Sequence, residues 1–140
     1  MKAVFADSFH FLALLNEDDP AHEQAVIEHR RPWQQIVTTD CVLLEIGDAL
    51  CDPRDRDDFL ALYGSLQADQ RIKIVRLTPA LLERGIQRFR DRPDKEWPLT
   101  DCVSFVVMEA EKITDALTGD RHFEQAGFKA LLKQAPGAAS

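Results

Sequence analysis

Four carboxylates, Asp7, Glu45, Asp101 and Asp120, stand at points where the local sequence marks a strand end or a helix start. Asp7 closes the short apolar run Lys2-Ala-Val-Phe-Ala6, and Asp120 follows Gly119 just after the strand-like run 113–118. Asp101 opens the apolar run from Cys102 to Met108, in a first turn whose free amides and dipole favour a charged carboxylate. Glu45 lies on the helix after the second strand, one turn before Asp48; Asp48, and Asp115 inside the run 113–118, are either extra ligands or, more commonly, solvated-face residues. Singly, each is better explained as a cap or turn residue than as a catalytic one. Together they are not so easily explained. A like-charge pair at about 4 Å costs on the order of 4 kcal/mol at an effective dielectric of about 20, so a converging cluster persists only with protons or cations present. All-oxygen donors with no nearby Cys or His pair suit Mg²⁺ or Mn²⁺ rather than zinc. A divalent ion so held lowers the pKa of bound water and offsets the charge of a phosphodiester in its transition state.

The elements that must position these residues can be read in order. Residues 2–6 have the look of a buried parallel strand, and Ser8 is a cap for the apolar segment 9–15. Asp19-Pro20 predicts a cap followed by proline at the first position of a helix reaching Arg31. Ile36-Val37-Thr38 is a second strand, Thr39 or Asp40 caps a helix over 41–51, and an amphipathic helix runs over 54–68. Alternation over 71–77 predicts a third strand, and Thr78-Pro79 opens a helix to Asp91 that buries Leu82, Ile86 and Phe89. That helix sets Arg84, Arg88 and Arg92 on one stripe, either an RNA grip or a solvated face paired with Glu83 and Asp91. Thr100 is the expected N-cap of the next helix. A fourth strand over 113–118, a helical turn over 121–126 stopped by Gly127 and a last edge strand over 128–132 complete the pattern. Short apolar strands alternating with helices imply an α/β fold with a parallel sheet, in a single domain over 1–134 with a disordered tail at 135–140. Beside the candidate ligands, Ser8, Thr100 and Ser104 are supporting residues that cap or orient carboxylates, while His122 either touches phosphate or, more commonly for a short turn, is a surface histidine.

Composition restricts the classes. The chain has 140 residues with 45% hydrophobic content, enough for a real core, and no apolar run of the roughly 20 residues a membrane helix needs. Its start resembles neither a signal nor a transit peptide, so a cytoplasmic protein is expected, with no membrane partner. Cys41, Cys51 and Cys102 form no C-x-x-C pair and read as small apolar filler. Formal net charge is -7, from 24 acidic and 17 basic residues, which opposes nucleic-acid binding by the bulk field. RNA as a partner therefore requires a local basic patch or bound cations.

Phe5-Ala-Asp7-Ser8, Val42-Leu-Leu-Glu45, Leu99-Thr-Asp101-Cys-Val-Ser104 and Leu117-Thr-Gly-Asp120-Arg-His-Phe123 through Gly127-Phe128 occur in an order that resembles PIN-domain proteins. Within these, the chain is most similar to the VapC-like ribonuclease toxins of type II toxin–antitoxin pairs. The similarity covers nearly the whole chain, and the block from Thr100 to Phe128 is its most specific part. The resemblance implies a three-layer α/β/α sandwich and an acidic quartet of Asp7, Glu45, Asp101 and Asp120. It also implies RNA cleavage with Mg²⁺ or Mn²⁺, and restraint by a small antitoxin. A homodimer is expected, and the apolar segments 9–15 and 59–66 are either its face or simply core. A receiver domain would need an acidic pair after the first strand, and an aspartyl phosphatase a second Asp two residues after Asp7; Phe9 stands there instead. The alternative with weight is a PIN-type scaffold that binds RNA or a partner without cutting, and an intact quartet argues against it.

Overall fold

The computed structural model describes residues 2–133, so the tail expected over 135–140 lies outside the described residues. Five strands form one parallel sheet: β1 (Ala3–Ala6), β2 (Gln35–Thr39), β3 (Ile72–Val75), β4 (Asp115–Leu117) and β5 (Lys129–Ala130), in the order β3-β2-β1-β4-β5. Val4, Phe5 and Ala6 are wholly buried, so β1 is covered on both faces, as a parallel sheet demands. The cover comes from α1 (Ser8–Leu15), α2 (His22–Arg30), α3 (Asp40–Ala49), α4 (Arg56–Ala68), α5 (Pro79–Asp91), α6 (Leu99–Ala110) and α7 (Arg121–Gln125). This is the expected three-layer α/β/α arrangement.

Several helix starts differ from the sequence reading, each for a local reason. Asp7, not Ser8, occupies the cap position of α1, and its carbonyl accepts from the His10 amide at 3.0 Å. Asp19 does not start a helix at Pro20. Its Oδ1 accepts from the Ala21 amide at 2.8 Å, closing a turn, and α2 begins only at His22. Thr100 is not a cap either. Pro98 holds that position with φ -60 and ψ 153, its carbonyl accepts from the Cys102 amide at 3.1 Å, and α6 begins at Leu99. Thr39 and Thr78 do cap, accepting at 3.1 Å from the Val42 and Leu81 amides.

Helix α6 carries the core and the site together. Its residues from Asp101 to Met108 are all buried. It packs on α5 at Gly85, where a β-carbon would stand 2.6 Å from Val103 Cγ2; only glycine lets the helices approach so closely. Of the residues expected to be buried on α5, Leu82 and Ile86 are half-buried, whereas Phe89 stays 53% exposed. An aromatic chain ties the site-bearing elements. Phe105 of α6 meets Phe123 of α7 edge-on at 5.0 Å and Trp97 at 5.1 Å, while Phe123 lies 6.2 Å from Phe5 of β1. Such pairs contribute about 0.5–1.5 kcal/mol each beyond area burial. They fix β1, α6 and α7 relative to one another, and so the carboxylates at their ends.

Candidate active site

From β1 the chain leads to β2 on one side, whereas β4 leads to β5 on the other. The crevice beyond the carboxyl ends of two such strands is where open parallel sheets bind ligands. Asp7 stands at the end of β1, and Asp120 follows β4 after Thr118 and Gly119. The first turn of α6 supplies Asp101, and α3 brings Glu45.

Thr118 joins two of these carboxylates. Wholly buried, it donates from Oγ1 to Asp7 Oδ2 at 2.9 Å and accepts from the Asp120 amide at 3.1 Å. Gly119 follows because the chain must pass close to α1: a β-carbon there would lie 2.5 Å from Phe9 Cζ. Asp120 then caps α7, accepting from the His122 amide at 2.9 Å. Ser8 donates to Glu45 Oε1 at 3.0 Å and so orients that carboxylate. His122 Nδ1 reaches both Asp101 Oδ2, at 3.1 Å, and Asp120 Oδ1, at 3.2 Å.

The carboxylates repel one another across the crevice. Asp7 is 3% exposed, and burial pushes its carboxyl from 3.8 up to about 7, with the charges of Asp101 and Glu45 adding and the Thr118 hydrogen bond opposing. Burial likewise raises Asp101 to about 7, followed by the charges of Asp120 and Glu45. Glu45 is raised chiefly by burial, against its bond from Ser8, with Asp120 and then Asp48 adding. All four carboxylates are thus electrostatic neighbours. Asp7 Oδ1 is buried without any hydrogen-bond partner. A buried, unpartnered carboxylate oxygen requires a proton or a cation, and one ligand atom from each of Asp101, Asp120 and His122 lies within 4.8 Å of the others. Two carboxylates and an imidazole so placed fit a divalent ion; Asp7 and Glu45 stand outside this closest set, and His122 adds a nitrogen donor to the all-oxygen set expected from sequence.

Other candidates lie elsewhere. Ser104 is wholly buried and donates to the Thr100 carbonyl at 3.1 Å, one turn back in its own helix. Asp115 pairs with Lys2 at 3.1 Å at the start of β4, away from the strand ends, and Asp48 is exposed. The arginine stripe does not act as one surface. Arg88 pairs with Glu109 and packs against Trp97 and Phe105, Arg92 makes a forked pair with Asp94 at 3.0 and 2.9 Å, and Arg84 is exposed. The pairing expected with Glu83 and Asp91 gives way to these partners. Two site residues escaped the sequence reading. Thr118 had only its place beside Asp120 to mark it, and His122, taken for a surface residue, has a side chain just 17% exposed.

The sequence profile of the PIN domain matches residues 4–129. The chain belongs to the PIN-domain family. That PIN domain runs from β1 to β5 and includes all four carboxylates. VapC20 of Mycobacterium tuberculosis, a sarcin–ricin loop cleaving toxin, superposes with a TM-score of 0.81 at 23% identity, over 89% of this chain and 95% of that one. VapBC2 of Rickettsia felis, bound to a promoter DNA fragment, does so with a TM-score of 0.66 at 10% identity, over 93% and 97%. No curated protein matches the chain in sequence. Among the described residues, no helix is long and apolar enough to cross a membrane.

Proposed function

We propose that this PIN domain is a metal-dependent endoribonuclease and the toxin of a toxin–antitoxin pair, acting in the cytoplasm. The observation that carries the reading is the buried, partnerless oxygen of Asp7, in the field of Asp101 and Glu45 and tied through Thr118 to Asp120, at the switch point of the sheet. A scaffold that only binds would gain nothing from carboxylates held against their own repulsion. Family membership and the fold shared with VapC20, described as a toxin that cleaves the sarcin–ricin loop, point the same way.

On this reading Asp7, Asp101, Asp120 and Glu45 hold Mg²⁺ or Mn²⁺, which when bound supplies charge neutralisation at the phosphate and an acidified water. Thr118 fixes the Asp7 carboxylate and Ser8 fixes Glu45, so the ligands are set before substrate arrives. His122 bridges Asp101 and Asp120 and also lines a polar pocket with Lys95 and Arg121, where it can meet a substrate phosphate. The antitoxin is expected to insert an arginine or lysine among the carboxylates, neutralising them and displacing the cation. A homodimer through α4, where Leu60 is 61% exposed, is part of the proposal. Expression of the chain alone should arrest bacterial growth, whereas Asp101→Asn should be tolerated; equal toxicity of the two would overturn this reading.

A further inference from the structure

Next to the acidic crevice, α5 and the segment 92–98 enclose an open cleft of ≈ 480 Å³ whose lining includes Ile86, Phe89, Arg90, Arg92, Lys95 and Trp97. Its size falls in the roughly 300–1,000 Å³ range of small-ligand sites. Three cations line it, and no carboxylate does. In a chain of net charge -7 that is an unusual concentration. The Arg90 guanidinium bonds the neutral Gln87 amide oxygen at 2.7 Å, and Lys95 has no carboxylate partner among the described residues. Arg92 is partly neutralised by Asp94 and lies over the Trp97 ring, 5.4 Å from its centroid. Phe89 offers an aromatic ring that is 53% exposed, with no aromatic partner among the described residues. One side chain, Lys95, links the cleft to the neighbourhood of the acidic site. Lys95 also lines the polar pocket that holds Arg121 and His122, alongside Asp94 and Glu96, and His122 touches Asp101 and Asp120. Cys102, beside Asp101 in sequence, lies in its wall.

We propose that this cleft is a nucleotide subsite, taking one unpaired base of an RNA strand against Phe89 while Arg90 and Lys95 hold the flanking phosphates. It rests on the nuclease reading and deepens it, because it defines the substrate as RNA with a splayed base beside the scissile bond. Bases stacked inside a duplex do not present a face to such a ring, whereas those of loops and single strands do. Charge also selects the occupant. A peptide carrying the basic residue expected at the carboxylates would be repelled by Arg90, Arg92 and Lys95, while the phosphate backbone would be drawn in.

The test is binding rather than cleavage, made with the full chain carrying Asp101→Asn, in Mg²⁺, on a labelled single-stranded RNA and on the same sequence fully paired. Adding Phe89→Ala should weaken single-strand binding by about tenfold, as loss of a stacked base does, and leave duplex binding unchanged; Phe89→Tyr should restore it. Adding Arg90→Ala with Lys95→Ala should reduce the salt slope of binding by about 1.4, from roughly 0.7 per phosphate contact on a single strand. Single-strand affinity unchanged in Phe89→Ala, with an unchanged salt slope in the double variant, would overturn the subsite. So would variants that alter self-association or peptide binding but not RNA binding. Failure of the nuclease reading shows separately, as absence of cleavage by the chain with Asp101 intact.

Discussion

Replacing Asp101 with Asn should stabilise the metal-free protein, by an amount that grows with pH. Asp101 is 4% exposed, and burial followed by the charges of Asp120 and Glu45 raises its carboxyl from 3.8 to about 7. A folded-state pKa above the unfolded one means the folded chain holds the proton more tightly. Stability is then greatest below the unfolded value and is lost as pH rises through the folded one, at about 1.4 kcal/mol per pH unit. The window from 3.8 to about 7 spans roughly three units, a loss on the order of 4 kcal/mol if Asp101 titrated alone. It does not titrate alone, because Asp7 is raised to about 7 partly by the same charges, so protons are shared and the effect of one substitution is smaller. We expect Asp101→Asn to gain about 1–3 kcal/mol near pH 8, or about 3 °C in Tm per kcal/mol. Asparagine matches the shape and keeps an acceptor for His122, so no cavity offsets the gain. Urea unfolding in EDTA near pH 5 and near pH 8 measures it, and the difference between variant and wild type should widen by about 2 kcal/mol over that range. Saturating Mg²⁺ or Mn²⁺, at about a hundred times its Kd, should add about 2.7 kcal/mol to the wild type and less to the variant. A variant less stable than wild type by the same amount at both pH values, with both proteins indifferent to the ions, would refute the reasoning.

His10 titrates with the opposite sign. It is wholly buried, its Nε2 lies 3.0 Å from His29 Nδ1, and burial followed by His29 lowers it from 6.5 to about 3. Its stabilisation is present above the unfolded value and lost as pH falls toward the folded one, with about 2 kcal/mol gone near pH 5; urea midpoints of His10→Leu should fall less steeply with acid than those of wild type. Thr118→Val keeps the shape but removes the donor to Asp7 and the acceptor for the Asp120 amide. It should cost about 1–3 kcal/mol and weaken metal affinity by about 10–100-fold, read from ion titrations of Tm. Gly119→Ala drives a methyl group to within 2.5 Å of Phe9 Cζ, which should cost about 1–3 kcal/mol; adding Phe9→Leu should recover part of that loss in the same melting assay.

The sheet was legible because it depends on local patterns, and so was the standing of the candidate carboxylates at strand ends and helix starts. Four short strand-like runs marked β1 to β4; Asp7 follows β1 directly, and Asp120 comes just past β4 after Thr118 and Gly119. The boundaries of α2 and α6 were not legible. There, Asp19 and Pro98 each settled a choice between a turn and a cap by a single hydrogen bond that residue type does not determine. Helical spacing alone gave Arg84, Arg88 and Arg92 one face, yet their partners Glu109 and Asp94 come from outside α5. His122 and Thr118 belong to the site through long-range contacts with Asp101 and Asp7. Nothing near them in sequence announces such contacts. The cleft beside Phe89 was hidden for a related reason: the helix period predicts a buried ring, yet in the fold that ring is 53% exposed.

The central claim is that Asp7, Asp101, Asp120 and Glu45 hold a divalent ion that cuts RNA, and cleavage by purified protein tests it most directly. Wild type with Mg²⁺ or Mn²⁺ should cut an RNA bearing a single-stranded loop, and EDTA should stop it. Asp7→Asn and Asp101→Asn should each abolish nearly all cleavage while remaining folded, and the double variant should be no worse, because the ligands act as a unit. Cleavage that survives EDTA or either substitution, or no cleavage of any RNA by folded wild type with either ion, would contradict it.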